Sequence, residues 1–264
     1  MTAPVLKKSP IYRETTIAMV ISNESERAAL VRANKATTKL LRELEEFAIA
    51  GRTTRELDTY ARDYIAGLGG EPVFETQAGF PGAINTNPND VVVHGIPGDY
   101  KLRVGDIMTI DAGILLSGYA GDAATTFTIG PANRRQKKLI ETTRAAMYEA
   151  IAAAKTGNRV GDVSWAMQSY AEMHGCTVAL GFGGHGLGTS MWEDPHVPFA
   201  GDPGTGDELV EGMVLTVEPV VIEGKQDYYM ANRWEARTRD RSNVAQFERA
   251  IEVTATGGYI LSGD

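Results

Sequence analysis

The sequence predicts an α+β domain built from two related halves. In each half a pair of helical segments precedes a group of strands, and a length of 264 residues suits one large domain or two fused halves. A short internal similarity supports the duplication: Gly105-Asp-Ile-Met-Thr-Ile-Asp111 resembles Gly212-Met-Val-Leu-Thr-Val-Glu218. Both segments place a turn glycine six residues before a carboxylate at the end of an apolar strand. We therefore expect each half to deliver an acid to a shared centre.

The chain begins with an arm and two helices. Residues 1–24 are expected to form an N-terminal arm, and residues 25–264 a single domain. Apolar residues recur at near-helical spacing over 25–50, which predicts a first helix. Thr53 or Thr54 can cap a second one, because a threonine hydroxyl accepts a hydrogen bond from the first turn of a helix.

Turns and strands alternate through the rest of the chain. The stretch 75–101 is rich in Gly, Pro and Asn, which predicts loops and turns. Residues 106–129 predict a hairpin that turns at Ser117-Gly118. The second half is expected to contain helices at about 132–155 and 161–174, followed by strands near 176–182, 213–222 and 245–256.

Composition excludes several classes of function. The formal net charge is −8, which disfavours nucleic acid as a partner because phosphate binding needs a basic surface. Cys176 is the only cysteine, which excludes a disulfide framework and a cysteine-rich zinc site and fits a reducing, cytoplasmic setting. The N-terminal residues contain no apolar run long enough for a signal peptide or a membrane span. We expect a protein of the cytoplasm that binds neither membrane nor nucleic acid.

Four acids lie where a strand is expected to be buried. Asp and Glu are almost never fully buried unless they are paired or bound to metal. Asp111 follows an apolar strand, and the hairpin is expected to bring Asp122 opposite it, so that one acid is protonated or a cation lies between them. Glu218 ends a second apolar strand, and Glu248 interrupts a third.

Some of these residues also allow ordinary structural roles. Asp122 could serve a turn or a helix cap, and Glu248 could form an edge-strand salt bridge to Arg249 or Arg241. His185 lies in a glycine run, which lets the backbone approach a site closely.

The glycine run around His185 also contains a G-x-G-x-x-G pattern. Pro195 and Pro198 follow it, where a dinucleotide-binding motif would require a helix, so that interpretation is excluded.

Taken together, five segments resemble the methionine aminopeptidase group of the pita-bread metallopeptidases, particularly the type I enzymes. They lie in the same order along the chain, at 89–97, 111–122, 184–188, 212–219 and 238–248. The resemblance runs from about residue 25 to the C-terminus. It implies two pseudo-symmetric halves with a curved antiparallel sheet covered by helices.

The resemblance also implies a metal site and a reaction. The family's metal ligands fall on five residues of this sequence: Asp111, Asp122, His185, Glu218 and Glu248. Four carboxylates and one imidazole suit two divalent ions, with Mn²⁺, Fe²⁺ or Co²⁺ favoured and Zn²⁺ also allowed. The implied activity is removal of the N-terminal residue of a peptide by metal-activated water, with Glu218 as general base and His94 near the scissile amide nitrogen.

The sequence departs from the family at the substrate. Seven residues after His185 the family has a second histidine that binds the substrate carbonyl, and here that position is Trp192. Indole offers one fixed N–H donor and cannot carry charge. The residues that would surround the substrate's N-terminal side chain are Phe74, Gln77, Phe80, Asn85, Met191 and Trp234. Gln77 and Asn85 are polar where the type I enzymes are mostly aromatic or thiol-bearing, although both amides could equally face solvent or backbone.

Three functions therefore stay open from the sequence. The first is an aminopeptidase that acts on N-terminal methionine or another small or apolar residue. The second is a related hydrolase with a specialised substrate, such as an Xaa-Pro peptide or a small amide. The third is a non-catalytic relative that binds metal.

Overall fold

The computed structural model describes residues 18–263. Most of the predicted arm, residues 1–17, lies outside this range. The remainder of the arm is held against the second half of the chain: Val20 forms an isolated β-bridge with Met213, and the Ile21 N–H donates to the Gly212 carbonyl at 2.8 Å.

Four α-helices occur in the described residues, close to the predicted positions. They are α1 (Glu24–Phe47), α2 (Thr54–Gly67), α3 (Arg134–Ala153) and α4 (Val160–Met173). The Asn23 side chain caps α1, and Thr53 and Glu56 form a capping box on α2, so Thr53 is the cap that the sequence left open between two threonines. Each of these helices is too short or too polar to span a bilayer.

Fifteen strands and one short π-helix are found between residues 18 and 263. The strands are β1 (Glu71–Pro72), β2 (Ile84–Pro88), β3 (Val91–Val93), β4 (Ile107–Leu116), β5 (Tyr119–Thr128), β6 (Thr177–Val178), β7 (Gly183–Gly186), β8 (Glu193–Pro198), β9 (Val214–Val217), β10 (Val220–Ile222), β11 (Tyr228–Met230), β12 (Ala236–Thr238), β13 (Val244–Gln246), β14 (Glu248–Thr254) and β15 (Gly257–Ile260). The π-helix is Phe74–Ala78. The predicted hairpin at 106–129 is confirmed as β4 and β5.

The prediction of loop over 75–101 was wrong in part. This stretch contains the π-helix, β2 and β3. All five residues of β2 are buried, because the strand pairs with β4 along its whole length. Its composition, with asparagines at positions 85 and 87 and a final proline, is typical of turns; tertiary pairing overrides that local preference.

The nine-stranded central sheet joins the two halves. Its main path runs β1-β4-β5-β14-β9-β7-β8, while β2 pairs with β4 and β15 pairs with β14, and these pairings are antiparallel. Helices α1 and α2 share an apolar core with β4 and β5, whereas α3 and α4 share a second core with strands of the later half. The helix pairs thus cover one half each, which confirms the predicted α+β class and its two related halves.

Two of the predicted strands are divided where an acid lies. The stretch 213–222 splits into β9 and β10 at Glu218 and Pro219, and 245–256 splits into β13 and β14 at Phe247. Strands β9 and β14 pair in the central sheet, while β10 and β13 pair in a separate three-stranded sheet. Since both strands change sheet at the same level, the acids lie at the junction between the two sheets.

Candidate metal centre

Five neighbouring strands each supply one predicted metal ligand. In sheet order, Asp111 lies in β4, Asp122 in β5, Glu248 at the start of β14, Glu218 directly after β9, and His185 in β7. The central sheet therefore brings together all five residues that the sequence predicted as ligands.

The sequence predicted that the two acids of the hairpin lie directly opposite each other, and this prediction was wrong. Asp111 pairs with Ala124, and Asp122 pairs with Gly113, so the acids are diagonal neighbours two residues apart. Ala124 also pairs with Glu248 across the next strand. Because side chains alternate between the faces of a sheet, this register places all three acids on the same face.

Distances confirm that the side chains meet. Ligand atoms of Asp122, His185 and Glu248 all lie within 4.8 Å of one another. The His185 Nε2 atom is 3.6 Å from Asp122 Oδ2 and 3.8 Å from Glu218 Oε1. The ordinary structural roles do not apply to two of these acids, since Asp122 lies within a strand and Glu248 begins a central strand instead of an edge strand.

The His185 ring is oriented by its own backbone. Its Nδ1 atom is 3.0 Å from the Gly186 carbonyl, so Nδ1 carries the proton and donates it, while the Nε2 lone pair faces the acids. Burial lowers the pKa of His185 to about 4. The imidazole is therefore neutral near pH 7, which is the form that binds metal.

Two polar side chains hold Glu218. The Thr216 hydroxyl donates to Glu218 Oε1 at 2.8 Å and accepts from the His185 N–H at 2.9 Å. The Gln246 amide donates to Glu218 Oε2 at 3.4 Å. The sequence did not single out Thr216 or Gln246, although each lies two residues from an acid and period-two alternation could have indicated both.

Helix α1 positions the Asp122 strand. A Cβ atom added to Gly121 would lie 2.5 Å from the Ala33 carbonyl group, so the helix backbone passes directly over this glycine. The buried Asn34 side chain accepts the Asp122 N–H at 3.1 Å and donates to the Leu30 carbonyl at 2.9 Å. No feature of the local sequence marked Asn34, because its partner is 88 residues away.

Burial, mutual repulsion and missing hydrogen bonds among the four acids favour a bound cation. Burial, followed by repulsion between neighbouring carboxylates, raises the pKa of Asp111, Asp122 and Glu248, and raises that of Glu218 to about 8. Asp111 Oδ1, Asp122 Oδ1 and Glu248 Oε1 are buried oxygens without a hydrogen-bond partner in the described part of the chain. Buried carboxylate oxygens without partners are costly, and divalent ions would satisfy them. The donor set thus fits the metal ions that the sequence predicted.

A cavity with aromatic walls lies over the acids. It encloses about 750 Å³ including its open mouth, and the five predicted ligands are among the residues that line it. Its walls include Phe74, Phe80, Phe182, Trp192 and Trp234. The sequence had not predicted Phe182 as part of the site, although it lies in the glycine run that contains His185.

His94 lines the same cavity. Its backbone is left-handed, with φ at 56°, and its ring lies perpendicular to that of Phe182, with 6.0 Å between ring centroids. Burial lowers the pKa of His94 to about 4. It is therefore a neutral imidazole at the cavity wall and not a surface turn histidine.

Trp192 also faces the cavity. Its ring centroid lies 6.1 Å from that of His185 and 6.4 Å from that of Phe74. His196, four residues further along, does not line the cavity. The indole therefore occupies the wall beside the proposed ligands, where the sequence had located the missing second histidine.

The predicted substrate pocket is only partly assembled. Phe74, Phe80, Asn85 and Trp234 line the cavity, and the buried Asn85 Oδ1 has no hydrogen-bond partner among residues 18–263. Gln77 and Met191, which were also predicted for this pocket, are not among the residues that line the cavity. The Gln77 side-chain oxygen is used by backbone and hydroxyl donors, and the Met191 side chain is fully buried in the apolar core.

Comparison with known proteins agrees with this geometry. A model of metallopeptidase family M24 matches residues 27–255. The methionine aminopeptidase of Clostridium acetobutylicum is 39% identical over 249 residues, which cover 92% of this chain and 98% of that protein. The crystal structure of methionine aminopeptidase from Rickettsia prowazekii has a TM-score of 0.89 at 34% identity, and covers 93% of this chain and 100% of that chain. That of the enzyme from Thermotoga maritima has a TM-score of 0.88 at 36% identity, with the same coverage.

These similarities confirm the pita-bread fold and the resemblance found in the sequence. The family match extends over most of the chain and includes the five strands that carry the acids and His185. The chain therefore belongs to metallopeptidase family M24 and has the fold of the methionine aminopeptidases.

Proposed function

We propose that this protein is a metalloaminopeptidase that removes the N-terminal residue, methionine or another small or apolar residue, from a peptide. The observation that carries the proposal is the convergence of four carboxylates and one imidazole in the lining of one aromatic-walled cavity. The names of its relatives support the same activity.

Two divalent ions would be held by Asp111, Asp122, His185, Glu218 and Glu248. The oxygen-rich donor set favours Mn²⁺, Fe²⁺ or Co²⁺, and Zn²⁺ also accepts these ligand types. When bound, such ions polarise the scissile carbonyl and lower the pKa of water, so that water can attack near neutral pH.

The protein's own side chains would bind the substrate and move protons. Glu218 is oriented by Thr216 and Gln246, and is proposed to take a proton from water and return it to the leaving amine. His94, neutral and at the cavity wall, is proposed to hydrogen-bond the scissile amide nitrogen. Trp192 is proposed to donate its indole N–H to the substrate carbonyl, with no capacity to carry charge.

The aromatic walls of the cavity would contact the first side chain of the substrate and favour an apolar one. Phe80 and Trp234 pack edge to face, with 5.5 Å between ring centroids, and with Phe74 they form an apolar surface for that side chain. Asn85 adds one buried acceptor that a substrate donor would satisfy. This acceptor and Trp192 also favour a second candidate, a specialised hydrolase of Xaa-Pro peptides or small amides.

We propose a cytoplasmic location, in agreement with the single cysteine, and a peptide or peptide-like molecule as the partner instead of a nucleic acid or a membrane. Cell fractionation with an antibody to the protein would check the location.

Chelation and substrate screening test the proposal. After exhaustive treatment with EDTA, the protein should no longer release methionine from a Met-Ala-Ser peptide, and Mn²⁺, Fe²⁺ or Co²⁺ should restore the release. Elemental analysis of the restored protein should find about two ions per chain. Undiminished activity in the metal-free protein would overturn the proposal. Faster hydrolysis of Xaa-Pro peptides or small amides than of Met-Ala-Ser would favour the second candidate.

A matched pair of variants separates metal binding from general damage. Glu248→Gln should abolish both metal binding and turnover. Glu252→Gln changes another buried glutamate of β14, one that pairs with Arg27, and should keep both properties. Equal loss of metal in the two variants would show that the effect comes from the strand and not from the site.

A further inference from the structure

Gln77 connects two parts of the cavity wall that lie far apart in sequence. It belongs to the π-helix Phe74–Ala78, in the first half of the chain. Its Oε1 atom accepts hydrogen bonds from the Met191 N–H at 2.9 Å and from the Ser190 hydroxyl at 3.3 Å. Ser190 and Met191 directly precede Trp192, between β7 and β8 of the second half. One side-chain oxygen therefore joins the two halves beside the indole.

The segment that receives this bond is fixed on its other sides. Glu193 Oε1 accepts the Ser190 N–H at 3.0 Å, and the Ala120 N–H of β5 donates to the Gly188 carbonyl at 2.8 Å. The Met191 side chain packs so tightly over Gly113 that a Cβ atom added there would lie 2.6 Å from Met191 Cε. Trp192 thus follows an anchored residue, and the Gln77 bond acts on the backbone of that anchor.

The π-helix is itself held, so Gln77 can transmit this position. Glu75 pairs with Arg62 of α2 at 2.6 Å, and Arg62 pairs with Asp58 at 2.8 Å. The Asp58 carboxylate also accepts the Ala83 N–H at 2.6 Å, just before β2. Helix α2, the π-helix and β2 are therefore joined by charged hydrogen bonds, which are stronger than neutral ones.

We propose that Gln77 is a positioning residue whose side-chain oxygen holds Ser190 and Met191 against the π-helix and thereby fixes the Trp192 indole in the cavity wall. Gln77 is not among the residues that line the cavity. The consequence for turnover rests on the proposed aminopeptidase function, whereas the effect on Trp192 does not.

Tryptophan fluorescence tests the placement without any need for activity. The chain has three tryptophans, so the double variant Trp165→Phe, Trp234→Phe leaves Trp192 as the only reporter. In the full-length, metal-free protein with this double substitution, Gln77→Met should shift the Trp192 emission to the red and increase its quenching by acrylamide. Gln77→Glu keeps an oxygen acceptor at the same position and should retain the original emission.

A remote glutamine provides the matched control. Gln168 Oε1 accepts the Gly201 N–H at 3.2 Å, a bond of the same type, and it does not line the cavity. Gln168→Met should lower stability as Gln77→Met does, but leave the Trp192 emission unchanged. If Gln77→Met does not fold, Ser190→Ala removes the longer of the two bonds, together with the 3.5 Å bond from the Ser190 hydroxyl to the Trp192 carbonyl, and should give a smaller shift in the same direction.

Kinetics with the natural tryptophans distinguishes positioning from substrate contact. Gln77→Met should lower kcat about tenfold, because the lost hydrogen bonds release the loop that carries Trp192. The ratio of kcat/KM for Met- and Ala-peptides should not change, since Gln77 does not line the cavity that would hold the first side chain. A changed ratio with an unaltered Trp192 emission would overturn the proposal, as would an equal emission shift in Gln77→Glu. An emission shift in a protein without peptidase activity would support the placement and overturn only the proposed function.

Discussion

The metal-free protein is expected to lose stability as the pH rises from 6.5 to 8. The folded-state pKa of Glu218 is raised from 4.5 to about 8, so in this range the folded protein keeps a proton that the unfolded chain has released. Stability that is present at low pH is then lost as the pH approaches 8. Asp111, Asp122 and Glu248 also have raised pKa values and contribute with the same sign.

The size of the loss follows from the Glu218 shift. The window from pH 6.5 to 8 spans about 1.5 pH units. At about 1.36 kcal/mol per unit, Glu218 alone accounts for a loss of about 2 kcal/mol. The pKa values of His94 and His185 are lowered, so these residues contribute stability above pH 6.5. That stability is lost only as the pH falls below 6.5. The chosen window therefore isolates the acids.

Urea unfolding of the chelated protein at four pH values across the window measures this loss. Glu218→Gln should remove about 2 kcal/mol of it, because glutamine does not titrate. Glu208→Gln, which removes an exposed acid paired with Arg159, should leave the loss unchanged. If the Glu218→Gln protein loses as much stability as the unaltered protein, Glu218 does not keep its proton in this pH range. With metal bound the trend should reverse, since protons compete with the ions for the same oxygens.

Three further outcomes are expected. Gly121→Ala should lower the free energy of unfolding by about 1–3 kcal/mol and weaken metal binding, because its Cβ would meet the α1 backbone at 2.5 Å. Gly51→Ala, whose Cβ would have no atom within 4 Å, should leave metal binding intact. Calorimetric titration with the metal measures both. Trp192→Phe keeps an aromatic ring but loses the N–H, and should lower kcat about 10²–10³-fold with a smaller change in KM, measured by steady-state kinetics; equal rates would exclude the indole as a donor. Asn85→Leu should raise the free energy of unfolding by about 1–3 kcal/mol by removing a buried unpaired oxygen, and thermal unfolding should show a higher midpoint.

Local signals in the sequence were sufficient for the helices and the hairpin. The Thr53 cap, the helical spacing of apolar residues and the Ser117-Gly118 turn each depend on residues a few positions apart. They predicted α2 and the β4–β5 hairpin close to their observed bounds. Strand β2 was missed because its stability comes from pairing with β4, at least twenty residues away, and not from its own composition.

From the sequence and its resemblance to a known family came the five proposed metal ligands and the expectation that two related halves supply them. An acid embedded in an apolar strand is informative without a structure, because its burial would be too costly without a partner. The folded arrangement was needed to show how these residues face one another: Asp111 and Asp122 are diagonal, and Asn85 faces the cavity while Gln77 faces the Trp192 loop. Strand register and the partner of a buried amide are set by segments far apart in the chain, and local sequence patterns do not encode them.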